Sequence, residues 1–209
     1  MSAGDNKTLE TNRRSSPGAY SLLDADDSVL VVIDVQDAFL DKLRGQESER
    51  LLKSVCWLVR LALWKHIPLI VTAEESSTQP LARELVKTLP AETPIFDKVS
   101  FGLAHQPDIL GAVERTGRKT AVLIGLETDV CVMHSSLGLL EKGYRVAVVA
   151  DATGTPAPGQ EMGLNRMRSA GVIIVDQKGL FYEWLRTIEA VNRFHAELPD
   201  MRGLSGVVL

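Results

Sequence analysis

Three residues combine a chemically useful type with a telling position: Asp34, Lys98 and Cys131. Asp34 closes the apolar run Val29-Leu30-Val31-Val32-Ile33, so a carboxylate appears where that run stops. Lys98 lies in the largely apolar segment Pro94-Ile95-Phe96-Asp97-Lys98-Val99-Ser100-Phe101. An ammonium turned inward there needs a partner, because burying it alone is costly. Cys131 follows Gly125-Leu126-Glu127-Thr128-Asp129-Val130, with Thr128 or Asp129 placed to cap a helix. A thiol in the first turn of a helix feels the positive end of the macrodipole, which lowers its pKa and favours the nucleophilic thiolate. Together, a carboxylate, an ammonium and a thiol supply a general acid/base, an electrostatic stabiliser and a nucleophile. Taken singly they are plainer: a turn-capping Asp, a surface Lys on an edge strand, a small buried Cys.

The elements around them decide whether they can meet. Short runs rich in Val and Ile at 29–34, 68–72, 95–99, 119–124, 145–150 and 172–175 read as strands buried on both faces. Between them, 47–66, 81–88, 107–116, 129–142 and 160–170 carry apolar residues at helical spacing, and a last helix is expected over 181–197. Glycines 117, 143 and 171 stand where a helix should stop before the next strand. This alternation predicts an α/β fold: one doubly wound, Rossmann-like domain with a mainly parallel six-stranded sheet flanked by helices. In such sheets ligands bind beyond the carboxyl ends of the strands. Asp34, the 72–77 stretch, Lys98, the 125–131 segment and Asp151 all fall at those ends.

Composition narrows the function classes. The chain has 209 residues, 45% of them hydrophobic, with 23 basic against 27 acidic side chains, a formal charge of −4. That balance offers no basic excess for nucleic acid, and the longest apolar runs fall well short of the ~20 residues of a membrane helix. Two cysteines, Cys56 and Cys131, exclude a disulfide framework and fit a reducing cytoplasm. The first 28 residues hold no apolar run of signal-peptide length. Residues 1–16 read as a loose arm ahead of a single domain over 17–209. Histidines 66, 105, 134 and 195 are scattered without ligand spacing, so neither a metal nor another cofactor is expected.

With these residues in view, the chain resembles the isochorismatase-like cysteine hydrolase superfamily, which includes nicotinamidases, carbamoylsarcosine amidases and ureidoacrylate amidases. The matching segments are 31–39 (VVIDVQDAF), 97–101 (DKVSF), 122–132 (VLIGLETDVCV) and 143–152 (GYRVAVVADA), in that order. The resemblance implies a catalytic triad of Asp34, Lys98 and Cys131, hydrolysing a C–N bond in a small amide, carbamoyl or ureido compound through a thioester. It also implies a cis peptide between Leu126 and Glu127, with the N–H groups of Glu127 and Cys131 forming an oxyanion hole. Family members are commonly oligomers, and the apolar stretch 204–209 would suit a contact between copies. Two departures stand out. Glu127 occupies a position often small in the family, and its carboxylate must point away from an oxyanion. The segment after the first motif lacks the histidines of a nicotinamidase metal site. Gln36, Phe39, Phe101 and His134 are candidates to line the substrate pocket, each with a bracing or core-packing alternative. Alternatives to amide hydrolysis are an isochorismatase-type vinyl-ether hydrolase, and a non-catalytic metabolite-binding or redox-sensing relative.

Overall fold

The computed structural model describes residues 21–204 and 207–208; the expected arm over 1–16 lies outside them. Six strands form one sheet: β1 (Ser28–Ile33), β2 (Leu69–Glu74), β3 (Ile95–Lys98), β4 (Thr120–Leu126), β5 (Arg145–Gly154) and β6 (Ile173–Val175). Their order is β3-β2-β1-β4-β5-β6, and every adjacent pair is parallel. The order reverses next to β1, and a crevice at the carboxyl ends of β1 and β4 is the expected ligand position in such a sheet.

The period-two alternation of strand side chains divides the core in two. Leu30 and Val32 of β1, with Val122 and Ile124 of β4, join the cluster under α2 (Glu47–Trp64), α7 (Gln177–Leu185) and α8 (Ile188–Glu197). Val29, Val31 and Ile33, with Ala121 and Leu123, face the opposite cluster under α4 (Pro107–Arg115), α5 (Met133–Glu141) and α6 (Gly159–Ser169). All six residues of β1 are buried, and each buried Val, Leu or Ile contributes roughly 1.5–3 kcal/mol. The strand that ends in Asp34 is therefore among the best anchored. Trp57, Phe181 and Phe194 pack edge-on with centroids 5.2–5.8 Å apart, tying α2 to α7 and α8. Trp184 is core, its indole N–H donating to Ser28 Oγ at 3.3 Å.

Several expected boundaries move. The single last helix is two, α7 and α8, because Arg186 takes φ +67° and its guanidinium donates to Leu23 O. β5 runs on to Gly154, so Asp151 lies within the strand rather than after it. Four short helical pieces were not foreseen, α1 (Asp37–Leu40) and 3₁₀ turns at Ala25–Asp27, Leu103–His105 and Pro199–Met201; α3 (Arg83–Thr88) lies within its expected range. Of the 204–209 stretch, Leu204 pairs with Val207 in a two-residue antiparallel ladder, β7 (Gly203–Leu204) with β8 (Val207–Val208); residues 205, 206 and 209 lie outside the described set.

Candidate active site

Asp34 follows directly on β1 with φ +48°, a left-handed conformation that Asp tolerates better than most residues. Its main-chain N–H donates to Thr72 O (3.1 Å), and its carbonyl accepts from Gln36 N (2.9 Å). The side chain is fully buried; Oδ1 accepts from Thr72 Oγ1 at 2.8 Å, and Oδ2 lies 3.0 Å from Lys98 Nζ. Lys98, the last residue of β3, is buried as completely. Its ammonium has three protons to place and three near partners: Ser100 O at 2.9 Å, Asp34 at 3.0 Å and Cys131 Sγ at 3.5 Å.

Cys131 is carried by a single wide turn, Thr128–Val132, in which Val132 N bonds back five residues to Glu127 O at 3.1 Å. Such π turns recur at functional sites. Gly125 permits the approach of this segment: at φ +119°, a Cβ there would lie 2.0 Å from Ile33 O. From the other side Gly163 of α6 lets Asp129 sit close, since a Cβ would come 2.9 Å from its Cα. The peptide between Leu126 and Glu127 is cis, as the resemblance implied.

Two expectations for this turn fail. Neither Thr128 nor Asp129 caps it: the Thr128 hydroxyl donates to Gln160 Oε1 at 2.6 Å, and Asp129 Oδ1 is buried without a hydrogen-bond partner. Nor is the thiol acidic. Burial, reinforced by the charge of Asp34, pushes the Cys131 pKa up to about 12, against the opposing pull of Lys98. Burial also raises Asp34, although Lys98 works against it. For Lys98 burial pulls downward, but Asp34 and Cys131 outweigh it and the pKa ends raised.

A buried ammonium–carboxylate pair adds little net stability over apolar groups of the same volume, because desolvation offsets the attraction. Placed at the ends of β1 and β3, on either side of β2, and against a thiol, such a pair is a candidate site of chemistry. Residues 28–178 match the model of the isochorismatase domain.

The chain belongs to the isochorismatase family.

Its relatives include Escherichia coli (strain K12) YcaC, a probable hydrolase 30% identical over 193 residues, spanning 88% of this chain and 93% of its own. The solved structure of E. coli YcaC, an octameric hydrolase of unknown specificity, gives a TM-score of 0.77 at 28% identity over 90% of this chain and 95% of that one. YcaC from Pseudomonas aeruginosa, solved with hexane-2,5-diol and covalent acrylamide, also gives 0.77 at 28% identity, over 87% and 94%.

The remaining candidates of this isochorismatase-family site take different parts. Gln36 braces: fully buried, it donates to Glu74 O (2.8 Å) and to Gln79 O, and accepts from Glu74 N (2.8 Å). Glu127 is turned to Lys42 (3.1 Å), whose ammonium also lies 4.4 Å from the centre of the half-buried Phe39 ring. Phe101 and His134 are both exposed and meet edge to face at 6.0 Å, so neither is core. Glu74 was not singled out in sequence: its Oε2 lies 3.7 Å from both Cys131 Sγ and Lys98 Nζ. In sequence it stood only within a stretch, at the end of β2 and the start of the 74–80 loop expected to shape specificity. The donor atoms of Asp34, Glu74 and Cys131 lie within 4.8 Å of one another, a spacing open to a metal ion. The Lys98 ammonium already sits among them as counter-charge. A cleft of about 410 Å³ lined by Arg44, Arg50, Asp151 and Gln160 adjoins the β5–α6 connection, and Asp34, Lys98 and Cys131 do not line it.

Among the described residues no helix is long and apolar enough to cross a membrane.

Proposed function

We propose that this chain is a cysteine hydrolase that cleaves a C–N bond in a small amide, carbamoyl or ureido compound through a thioester. The observation that carries the reading is the Lys98 ammonium held between the Asp34 carboxylate and the Cys131 sulfur in a buried site. A thiol raised to about 12 keeps its proton at neutral pH, so attack requires a base at the moment the S–C bond forms. Asp34 Oδ2 is buried and placed to accept that proton, and burial makes it a stronger base than an exposed carboxylate. Lys98 stabilises the sulfur as negative charge develops on it. Sulfur adds to the carbonyl carbon, the oxyanion is held by the N–H groups of Glu127 and Cys131, and the amine departs with the proton from Asp34. Asp34 then takes a proton from water, which attacks the thioester; the acid leaves and the thiol is restored. The covalent acrylamide in the Pseudomonas relative fits this reading, since acrylamide alkylates nucleophiles such as thiolates. The octameric assembly described for E. coli YcaC supports a homo-oligomer here as well.

The test is turnover of a panel of small primary amides, carbamoyl amino acids and ureido acids, followed by released amine or ammonia, with quenched samples weighed by mass spectrometry. The expected result is an acyl adduct on the Cys131 peptide, a loss of at least about 10³-fold in Cys131→Ala and of about 10²–10⁴-fold in Asp34→Asn. Amine release that survives Cys131→Ala would overturn the reading, since no thioester forms without the sulfur.

A further inference from the structure

The three charged side chains around the sulfur differ in their access to solvent. Asp34 and Lys98 are shut away, while the Glu74 side chain keeps 28% of its surface exposed. Glu74 is therefore where the buried machinery meets the medium from which a substrate arrives. Its position is built into the fold. Gln36 grips the Glu74 main chain at both N–H and C=O, β2 sets Glu74 opposite Lys98, and Glu75 turns the chain away at φ +48°. By formal charge the site holds two carboxylates against one ammonium, while Lys42 and Glu127 beside it are paired with each other.

We propose that Glu74 is the specificity-determining residue of this site, selecting substrates with a cationic or N–H-rich group beside the scissile carbonyl and rejecting those with a carboxylate there. The assignment rests on the cysteine-hydrolase reading and names its substrate class. Sulfur attacks a carbonyl carbon from about 3–3.5 Å, and the nitrogen on that carbon lies one bond, about 1.3 Å, further. A carboxylate 3.7 Å from the sulfur can then reach hydrogens on that nitrogen or on an adjoining ammonium. An ionised carboxylate only accepts hydrogen bonds, so it pairs with –NH₂ and –NH₃⁺ and repels a substrate carboxylate in the same place.

The fold permits a clean substitution. The bonds from Gln36 run to the main chain of residue 74, so Glu74→Gln removes the charge and keeps the brace. The probes are 2-ammonioethyl and 2-sulfonatoethyl methanethiosulfonate, matched in length and opposite in charge. Each forms a mixed disulfide with a cysteine and releases methanesulfinate. Rates at Cys131 and at Cys56, the internal reference, are read by peptide mass spectrometry. Cys131 is expected to prefer the cation more strongly than Cys56 does. Glu74→Gln should lower that cation-to-anion ratio about tenfold, the scale of one partly screened charge a few ångströms away, and leave the Cys56 ratio unchanged. The ratio cancels any change in the intrinsic reactivity of the thiol. Reaction of Cys131 with both reagents at a ratio indifferent to Glu74→Gln overturns the assignment and leaves the hydrolase reading standing. Reaction of Cys56 with Cys131 inert to both overturns the hydrolase reading and the assignment with it. Should Glu74→Gln fail to fold, Glu74→Asp, which draws the same charge back by one methylene, must give a smaller drop in the same direction.

Discussion

The Cys131 thiol and the Lys98 ammonium both hold their protons more tightly in the folded chain than in an unfolded one. For the thiol, burial comes first and the Asp34 charge second, moving the pKa from an ordinary value near 9 to about 12. Above pH 9 the unfolded chain therefore binds fewer protons than the folded one, and stability falls as pH rises towards 12. Between about pH 8 and pH 10 the wild type should lose roughly 1 kcal/mol more than Cys131→Ala, measured as the shift of urea midpoints. This outcome reverses the acidic thiol expected from a helix N-terminus. A macrodipole contributes only about 0.3–1 kcal/mol at most sites, whereas burial can move a pKa by several units at about 1.4 kcal/mol each. Asp34 and Lys98 were legible because a charge stands out in an apolar run, and Cys131 because it follows a strand and Gly125 at the start of a helix. Glu74 was not, since Glu74-Glu75-Ser76-Ser77 reads as an ordinary solvated loop. Only the pairing of β2 with β3 brings it to Lys98.

The strands were readable to within a few residues because burial on both faces writes continuous Val and Ile runs. The two-helix ending was hidden, because the break at Arg186 depends on Leu23 O, which lies 163 positions away in the chain. The π turn was hidden as well: its residues, TDVCV, fit an α-helical first turn equally well. Gly125, by contrast, declared a sharp turn in sequence, and the structure shows how closely it is held. A Cβ at this position would strike the main chain of Ile33 at 2.0 Å, which no side-chain rotamer can relieve. Gly125→Ala should cost several kcal/mol and lower Tm by about 10 °C or more. Gly45→Ala, also at positive φ (+57°) but in open space, should cost only about 1 kcal/mol. The gap between the two, read by thermal unfolding, isolates the contact that joins the Asp34 and Cys131 strands.

At the scale of the whole molecule, the surface carries apolar residues in excess of what the site needs. Ile188 is 81% exposed and Val99 78%, with Leu22, Phe101 and Tyr182 each about half uncovered. Sedimentation of the full chain should therefore give an assembly larger than the 22.8 kDa monomer, in keeping with the oligomer proposed above; a monomer at micromolar concentration would count against it. Val99 and Phe101 follow on β3, and β3 is one of the two margins of the sheet: four residues long, paired along one side to β2. Lys98 is the last of the four. The cation that holds Asp34 and Cys131 together thus rides on a short edge strand bonded along one side only, and such margins open locally at far less cost than the whole domain unfolds. Fraying of these few residues would withdraw the ammonium and silence the site while the rest of the fold stood intact, so whatever clasps this margin also governs how long the site stays assembled.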